Sequence, residues 1–422
     1  MGGLLVGKGK AWFDHFTVSI DGKAIQNLKP YVKKLLPADN DKAFDKGSGI
    51  AEITLNKTQI ENLTSLGMIW GFLKYYHPKI AAGTYNWDYE LFRILPQILK
   101  AENKKSRDEI LVKWIENLGE LTPNKKAETL PSAIKIKPDL DWLSNAGFSE
   151  ALTAVLVKVK NASRPKEHYY IGLQAGAGNP DFKNENAYAA MRYPDAGFRL
   201  LALYRYWNII EYYFPYKNLI EEDWRAVLKE FIPRFCSAKD ETAYTLTTLE
   251  LIGRVHDSHA SVWGDNQALK KYFGMRYAPV ELTFVENKPV VTGYYNVKAG
   301  KATGLEPGDV IVKINDKAVD EIVKEKLKFT PASNYPTQLR NLAPDLIRTN
   351  DTVIHIEYTR ADLRQHKTLK TLDEKEVNLY AKYKVTDTSF RLINKDIAYL
   401  NNGSLKGDHL PKIWSAVENT KG

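Results

Sequence analysis

The residues of this chain that could do chemistry are concentrated in residues 252–263, which read IGRVHDSHASVW. His256, Asp257, Ser258 and His259 occupy four consecutive positions there. A neutral imidazole is the usual general base near neutral pH, so the pair Ser258 and His259 is suited to proton transfer. Catalysis also needs a nucleophile within hydrogen-bond reach and a group that orients the base. Taken alone, these residues are more typical of the polar end of a helix.

The stretch ends a helical unit that occurs twice. LTSLGMIWGFLKYYHP (63–78) aligns without gaps on LLALYRYWNIIEYYFP (200–215), with a constant offset of 207 − 70 = 137. The pairs at this offset are Trp70 with Trp207, Tyr75 with Tyr212, Tyr76 with Tyr213, Pro78 with Pro215, Trp87 with Trp224, Leu91 with Leu228, and Pro96 with Pro233. Shared amphipathicity explains matching leucines but not matching Trp, Tyr-Tyr and Pro, so we predict a duplicated unit with the tandem aromatics in its core.

Only the second copy carries the polar cluster. After a small shift, Gly119 falls opposite Gly253, and the first copy continues as ELTPNKK where the second continues as RVHDSHASVW. A site present in one copy of a repeated scaffold is typical of a function added to an existing fold.

The period of the apolar residues predicts a multidomain α+β protein. Period 3.6 dominates up to about residue 274 and period 2 follows, so a β-rich module comes after the helical units. The last segment predicts a strand at 397–400 and a helix at 410–417, which is the opening of an α/β unit. The predicted domains are residues 1–56 (a β-hairpin remnant and linker), 57–197, 198–274, 275–371 and 372–422.

Turn and strand signals in the sequence predict the individual elements of the β-rich module and of the connecting segments. Predicted strands of the module are 280–285, 289–294, 310–314 and 352–358, and its predicted helices are 319–328 and 337–342. Near the start, an Asp21-Gly22 turn predicts a hairpin in residues 8–27. The glycines of residues 172–197 follow no phosphate-loop pattern, so we expect an ordered connection without a nucleotide site.

The segment GLEPGDVIVKINDKAV (304–319) resembles the PDZ-like module of the C-terminal processing (tail-specific) serine peptidases. The order of a helical region with Asp-Ser-His, a PDZ-like module and an α/β domain resembles the tricorn-core branch of that family. The resemblance covers residues 198–422, and the first helical unit only as a duplicate.

The resemblance implies roles for two residues. In tricorn-type members the helical region supplies a Ser-His pair, which places the general base on His259 and a supporting role on Ser258. The resemblance implies that the nucleophilic serine and the oxyanion-hole glycines follow a strand expected after Gly422. Ser404 and Ser415 lie before that strand, so neither is assigned as the nucleophile. We therefore expect a fragment of a serine-type peptidase that is inactive alone, with a peptide or protein as substrate and no cofactor.

Composition argues against several functional classes of protein. The net charge is +9, but Lys and Arg are scattered, so nucleic-acid binding is not expected. No run of 18 apolar residues occurs, so no membrane span is expected, and the start lacks the apolar core of a signal peptide. We expect an exported protein whose signal has been removed, with a cytoplasmic location as the alternative. The single cysteine, Cys236, excludes an internal disulfide and is expected to be a buried structural thiol.

Three alternatives to a peptidase remain open. PDZ-like modules capture peptides by strand addition, so the chain could be a non-catalytic peptide-binding module. His256 and His259 are three residues apart and could share a helix face as metal ligands with Asp257, although neither an HExxH pattern nor a third distant ligand is visible. A repeat scaffold without any site is the third alternative. We expect Asp257 to face away from His259 and to cap the helix or pair with Arg254 or a lysine, because adjacent helical residues point about 100° apart.

Overall fold

The computed structural model describes residue 10 and residues 17–29, 35–124, 138–380 and 389–418. Its helices are α1 (Pro37–Asn40), α2 (Lys57–Tyr76), α3 (Pro78–Ala81), α4 (Trp87–Lys100), α5 (Lys104–Glu116), α6 (Trp142–Asn145), α7 (Glu150–Lys160), α8 (Ala196–Tyr213), α9 (Trp224–Ser237), α10 (Glu241–Gly253), α11 (Gln267–Phe273), α12 (Val297–Ala302), α13 (Val319–Lys326), α14 (Tyr335–Leu346) and α15 (Leu410–Val417). In these ranges, no helix is both long and apolar enough to cross a membrane.

The strands are short and every strand pair recorded in the described ranges is antiparallel. They are β1 (Ser19–Ile20), β2 (Lys23–Ala24), β3 (Ile171–Leu173), β4 (Pro180–Phe182), β5 (Arg276–Tyr277), β6 (Val280–Val285), β7 (Lys288–Tyr294), β8 (Val310–Ile314), β9 (Lys317–Ala318), β10 (Arg348–Thr349), β11 (Val353–Arg360), β12 (Leu363–Lys370), β13 (Leu372–Asp373), β14 (Phe390–Leu392) and β15 (Ala398–Leu400). The mixture of helices and small antiparallel sheets agrees with the predicted α+β class.

At the offset of 137, the long helices of the two sequence copies match at every end except the starts of α2 and α8. The ends of α4 and α5 map on those of α9 and α10, and α2 and α8 end at matching residues. The caps match as well: Asn103 Oδ1 accepts from Ser106 N–H at 3.0 Å, and Asp240 Oδ1 accepts from Ala243 N–H at 2.7 Å. Such side-chain caps satisfy backbone donors that have no partner within the helix, so each helix starts at a fixed residue.

A reciprocal pair of tryptophans joins the first two long helices of each copy. Trp70 Nε1–H donates to the carbonyl of Trp87 at 3.0 Å, and Trp87 Nε1–H donates back to the carbonyl of Trp70 at 2.9 Å. Trp207 and Trp224 make the same two bonds, at 2.6 and 3.1 Å. All four indoles are buried in one core that is shared by both helical units. The matched tryptophans therefore have matched contacts, which matching helical amphipathicity alone does not require.

The connection between the two copies is tied to the helices. Asp195 caps α8 by accepting from Phe198 N–H, and it also accepts from both the backbone N–H and the hydroxyl of Ser48. Lys74 forms an ion pair with Glu185 of the connection, and Arg205 Nη1–H donates to the carbonyl of Asn186 at 2.8 Å. These contacts order a segment whose glycine, asparagine and proline content alone would leave loose.

Residues 276–373 form a β-rich unit with its own buried core. The main sheet has the order β12-β11-β8-β7-β6, with β9 beside β8, and a small sheet has the order β10-β5-β13. Four of these strands and helices α13 and α14 were predicted, whereas β12 was not, because LRQHKTLK has few apolar residues. In the described ranges, these strands pair with one another and not with the N-terminal hairpin.

The two ends of the described chain carry small hairpins. β1 and β2 pair around Asp21-Gly22 as predicted, while Trp12, Asp14 and Phe16, which continue the predicted alternation, lie outside the described residues. At the other end, β15 coincides with the predicted strand at 397–400 but pairs antiparallel with β14. Helix α15 follows at the predicted residues. Among the described strands, β15 thus has an antiparallel partner and no parallel one.

Candidate functional site

The Asp-Ser-His motif lies in a tight turn after helix α10. The helix ends at Gly253, and His256 has a φ of 53°, which reverses the chain. Ala260 N–H then donates to the carbonyl of Asp257 at 3.1 Å and closes a turn over the motif. Residues 256–260 are therefore outside any helix, and side chains two positions apart can meet.

Asp257 holds His259 through two hydrogen bonds. Asp257 Oδ1 accepts from the backbone N–H of His259 at 2.8 Å and lies 3.0 Å from His259 Nδ1. The imidazole is otherwise open, with 96% of its side-chain surface exposed. With Nδ1–H donating to the carboxylate, Nε2 carries the free lone pair and faces solvent. An imidazole in this state can accept a proton from a hydroxyl group.

The expectation that Asp257 faces away from His259 is wrong. Its premise was helical geometry at 257–259, and the positive φ of His256 removes that geometry. Arg254, the partner expected for Asp257, instead pairs with Glu222 and Glu230. The carboxylate is thereby left for His259.

Ser258 does not bond the imidazole but joins the turn to the β-rich unit. Its hydroxyl lies 3.0 Å from the hydroxyl of Ser333 and accepts from Ser333 N–H at 3.0 Å. Ser258 N–H in turn donates to Ser333 Oγ at 3.1 Å. Within the described ranges, Ser258 and His259 thus have separate partners. No sequence signal pointed to Ser333, which is 75 residues away along the chain.

A cleft of about 420 Å³ opens between the helical and β-rich parts beside this turn. Ser258 and Ala260, the two neighbours of His259, line its wall on one side. The β-rich unit contributes Tyr277, Phe329 and Arg348 to the other side. A ligand in the cleft would lie next to the turn that carries His259, and its lining offers both apolar rings and charged groups.

Tyr206 of α8 is a second neighbour of the motif that the sequence did not single out. Burial raises the pKa of its phenol, and the negative charge of Asp257 raises that pKa further. The carboxylate of Asp257 thus lies within electrostatic reach of a half-buried aromatic residue of the second helical unit.

The remaining candidates from the sequence are the thiol of Cys236 and a metal site formed by His256 and His259. Cys236 is buried as expected, and burial raises the pKa of its thiol to about 12. Among the described residues, no group of three or more His, Cys, Asp or Glu side chains is placed to hold a metal ion. His256 and His259 do not share a helix face, because neither lies in a helix, and His256 Nε2 is 3.8 Å from Glu222.

Comparison with known proteins gives limited similarity. No family model and no curated protein matches the sequence. Similar solved structures include mature CPAF complexed with lactacystin (12% identity, TM-score 0.31, 42% of this chain and 35% of that chain) and mature CPAF (13%, 0.32, 42% and 34%). A photosystem II D1 C-terminal processing protease is another (14%, 0.23, 46% and 46%). This chain thus matches less than half the length of each structure, and TM-scores this low carry no information on the chemistry of the site.

Proposed function

We propose that this chain is part of a serine-type peptidase that cleaves peptide bonds in proteins or peptides, with His259 as the general base. One observation carries the proposal: Asp257 bonds His259 at Nδ1, and the rest of the ring is open to solvent. A general base of this kind accepts a proton at Nε2 while Nδ1–H donates a hydrogen bond that fixes the orientation of the ring. A carboxylate is the usual acceptor of that bond.

The organisation of the chain is consistent with this proposal. The order of helical units, PDZ-like module (275–371) and start of a peptidase domain (372–422) is the order that the sequence resemblance implies, and 57–197 and 198–274 are the proposed repeat units. The β-rich unit with its own core is the candidate PDZ-like module. The same resemblance assigns the nucleophilic serine to no residue of this chain, so the proposal names a general base and leaves the nucleophile unassigned. Export of the mature protein belongs to the same proposal.

The test is hydrolysis of an unfolded protein and of fluorogenic peptides by the natural protein that contains this sequence. His259→Ala should lower kcat/KM by about 10²–10⁴-fold, because it removes the proton acceptor. His256→Asn is the matched control, because asparagine tolerates the positive φ of that position. The control should keep its activity. Full activity of His259→Ala, or absence of hydrolysis by the wild-type protein, would refute the proposal.

A non-catalytic peptide-binding module is the second candidate, and the edge of the main sheet favours it. In the described ranges, β6 pairs only with β7, and helix α14 packs against β6. An edge strand beside a helix is the setting in which a peptide can be added as a further strand. Titration with peptides that have free or amidated C-termini measures this function. Binding without hydrolysis by the natural protein would favour the module over the enzyme.

A further inference from the structure

We infer that Asp257, Ser258 and Ser333 are positioning residues of the proposed site, each with a distinct task. Asp257 sets the ring of His259, while Ser258 and Ser333 fix the turn of residues 256–260 against the β-rich unit. The inference rests on the proposed function in that His259 is the group being positioned. It differs from what the sequence resemblance implies, because Ser258 acts on the position of the turn rather than on the imidazole.

Asp257 is suited to its task because one oxygen accepts two donors from the same residue. The backbone bond at 2.8 Å fixes where His259 starts, and the Nδ1 contact at 3.0 Å fixes how its ring is turned. A side chain that is 96% exposed has little packing to orient it. The carboxylate therefore supplies most of the constraint on the ring.

Ser333 belongs to a segment that is itself held in place. This segment, residues 327–333, joins α13 to α14 and starts with a short 3-10 turn at Leu327–Phe329. Thr330 Oγ1–H donates to the carbonyl of Lys326 at 3.0 Å, and Gln338 Nε2–H donates to the carbonyl of Thr330 at 3.1 Å. Ala332, next to Ser333, is buried. The 327–333 segment thus presents Ser333 from a fixed backbone.

The glycine at the end of α10 allows the 327–333 segment to approach the helix closely. A Cβ at Gly253 would lie 3.1 Å from the carbonyl oxygen of Lys328, a tight contact that glycine avoids. The helix ends keep the offset of 137, so the counterpart of Gly253 is Glu116 at the end of α5 (116 + 137 = 253), and the alignment of Gly119 with Gly253 expected from the sequence is wrong. The small residue and the polar motif therefore occur together in the second copy only.

The turn of the first copy is anchored by a different device. Position 122, which corresponds to His259, is a threonine whose carbonyl accepts from Ser163 N–H at 2.8 Å, and Asn124 N–H donates to the carbonyl of Asn161 at 2.9 Å. There the backbone is tied to the residues after α7, with no side-chain hydroxyl required. In the second copy, hydrogen bonds between Ser258 and Ser333 connect the turn to the β-rich unit instead.

The task of Asp257 is tested by the tautomer of neutral His259 in this 422-residue chain labelled with ¹⁵N-histidine. Two-bond ¹H–¹⁵N spectra should show Nδ1–H and a bare Nε2 in the wild type, and Asp257→Ala should shift the ring towards Nε2–H. Asp257→Asn keeps an acceptor oxygen and should retain Nδ1–H. The signals of His256 serve as an internal control and should not change. An Nε2–H tautomer in the wild type overturns the assignment even if Asp257→Ala fails to fold.

The task of the two serines is tested by amide hydrogen exchange. Ser333→Ala removes the acceptor of Ser258 N–H, and Ser258→Ala removes the acceptor of Ser333 N–H. Each variant should speed exchange of the partner amide by about tenfold, since protection reflects local opening. Ser163→Ala is the matched control, because alanine retains the backbone N–H that ties the first copy's turn. Unchanged exchange in both serine variants overturns the inference.

Neither readout requires hydrolysis, so the positioning inference and the proposed function fail separately. In the peptidase assay, Ser333→Ala should lower kcat by about tenfold with little change in KM, because the base is misplaced while the substrate still binds. If the tautomer and exchange results are as expected and no peptide is cleaved, the turn is positioned as inferred but the peptidase proposal is wrong.

Discussion

The side chain of Asn208 occupies the space above Gly71, its counterpart in the other helical unit (71 + 137 = 208). A Cβ at position 71 would overlap Asn208 Oδ1, and a Cβ at Gly67 would lie 2.6 Å from the ring of Tyr204, again its counterpart (67 + 137 = 204). Asn208 Nδ2–H donates to the carbonyl of Gly67 at 3.0 Å, and Tyr204 O–H donates to that of Leu63 at 2.5 Å. The two units thus pack through equivalent positions of α2 and α8, with small residues on one side and large ones on the other.

Gly71→Ala should destabilise the protein by about 3 kcal/mol, because the added methyl group displaces a fully buried Asn208 and breaks its bonds. Adding Asn208→Ala should recover part of this loss, because the two side chains then fit. Gly407→Ala, at a position where the new methyl group would have no atoms within 4 Å, should change stability by less than about 0.5 kcal/mol. Urea unfolding measures all three. A loss of the same size with and without Asn208→Ala would show that the contact is not the cause.

Stability should fall as the pH decreases from about 6.5 to 4, in part because of two histidines. Burial lowers the pKa of His77 and of His168 to about 4 from an ordinary value of 6.5. In this window the unfolded chain binds the protons that the folded chain excludes, so protonation favours unfolding. The full shift at His77 corresponds to about 3 kcal/mol as an upper limit.

His77→Phe should reduce this pH dependence. Neither ring nitrogen of His77 has a hydrogen-bond partner among the described residues, and the second copy has Phe214 at the same position (77 + 137 = 214). The comparison is the difference in free energy of unfolding between wild type and variant at pH 7 and pH 4.5. The variant should lose less on acidification than the wild type. An equal loss in both proteins would place the proton uptake elsewhere.

Lys74→Met should cost about 3 kcal/mol, because it removes the ammonium partner of Glu185 and leaves that carboxylate with the more distant Arg205, at 3.7 Å. The ammonium group of Lys74 is buried between the rings of Trp70 and Tyr170, at 5.0 and 5.2 Å, and burial lowers its pKa. Adding Glu185→Gln should restore part of the stability, since the carboxylate that lost its ammonium partner is then neutral and Arg205 keeps its ion pair with Asp88. Denaturant unfolding and limited proteolysis of residues 174–195 provide the measurements. Proteolysis should increase in both variants if the Lys74–Glu185 ion pair holds that segment against the helices, because neither variant retains the pair.

The periodicity of the sequence was sufficient for the long elements. Helices α2 and α8 contain most of the two aligned stretches, 63–78 and 200–215, and the matched Trp and Pro residues at 87, 96, 224 and 233 lie in α4 and α9. Strand β12 was missed because it is an edge strand with one mostly solvated face, and its polar residues carry no alternating apolar signal. Local signals therefore fail where partner strands rather than side-chain burial define the element.

The sequence by itself determined where the reactive groups are and that a repeated scaffold carries them. The constant offset of 137 and the adjacency of His256, Asp257, Ser258 and His259 need no structure to be seen. Only the tertiary structure decided which of these side chains meet. The positive φ of His256 ends helical geometry and brings Asp257 to His259, and the 327–333 segment brings Ser333 to Ser258 across 75 residues. The first contact depends on one backbone torsion and the second on long-range packing. Neither produces a periodic pattern in the sequence, so neither could be predicted from it.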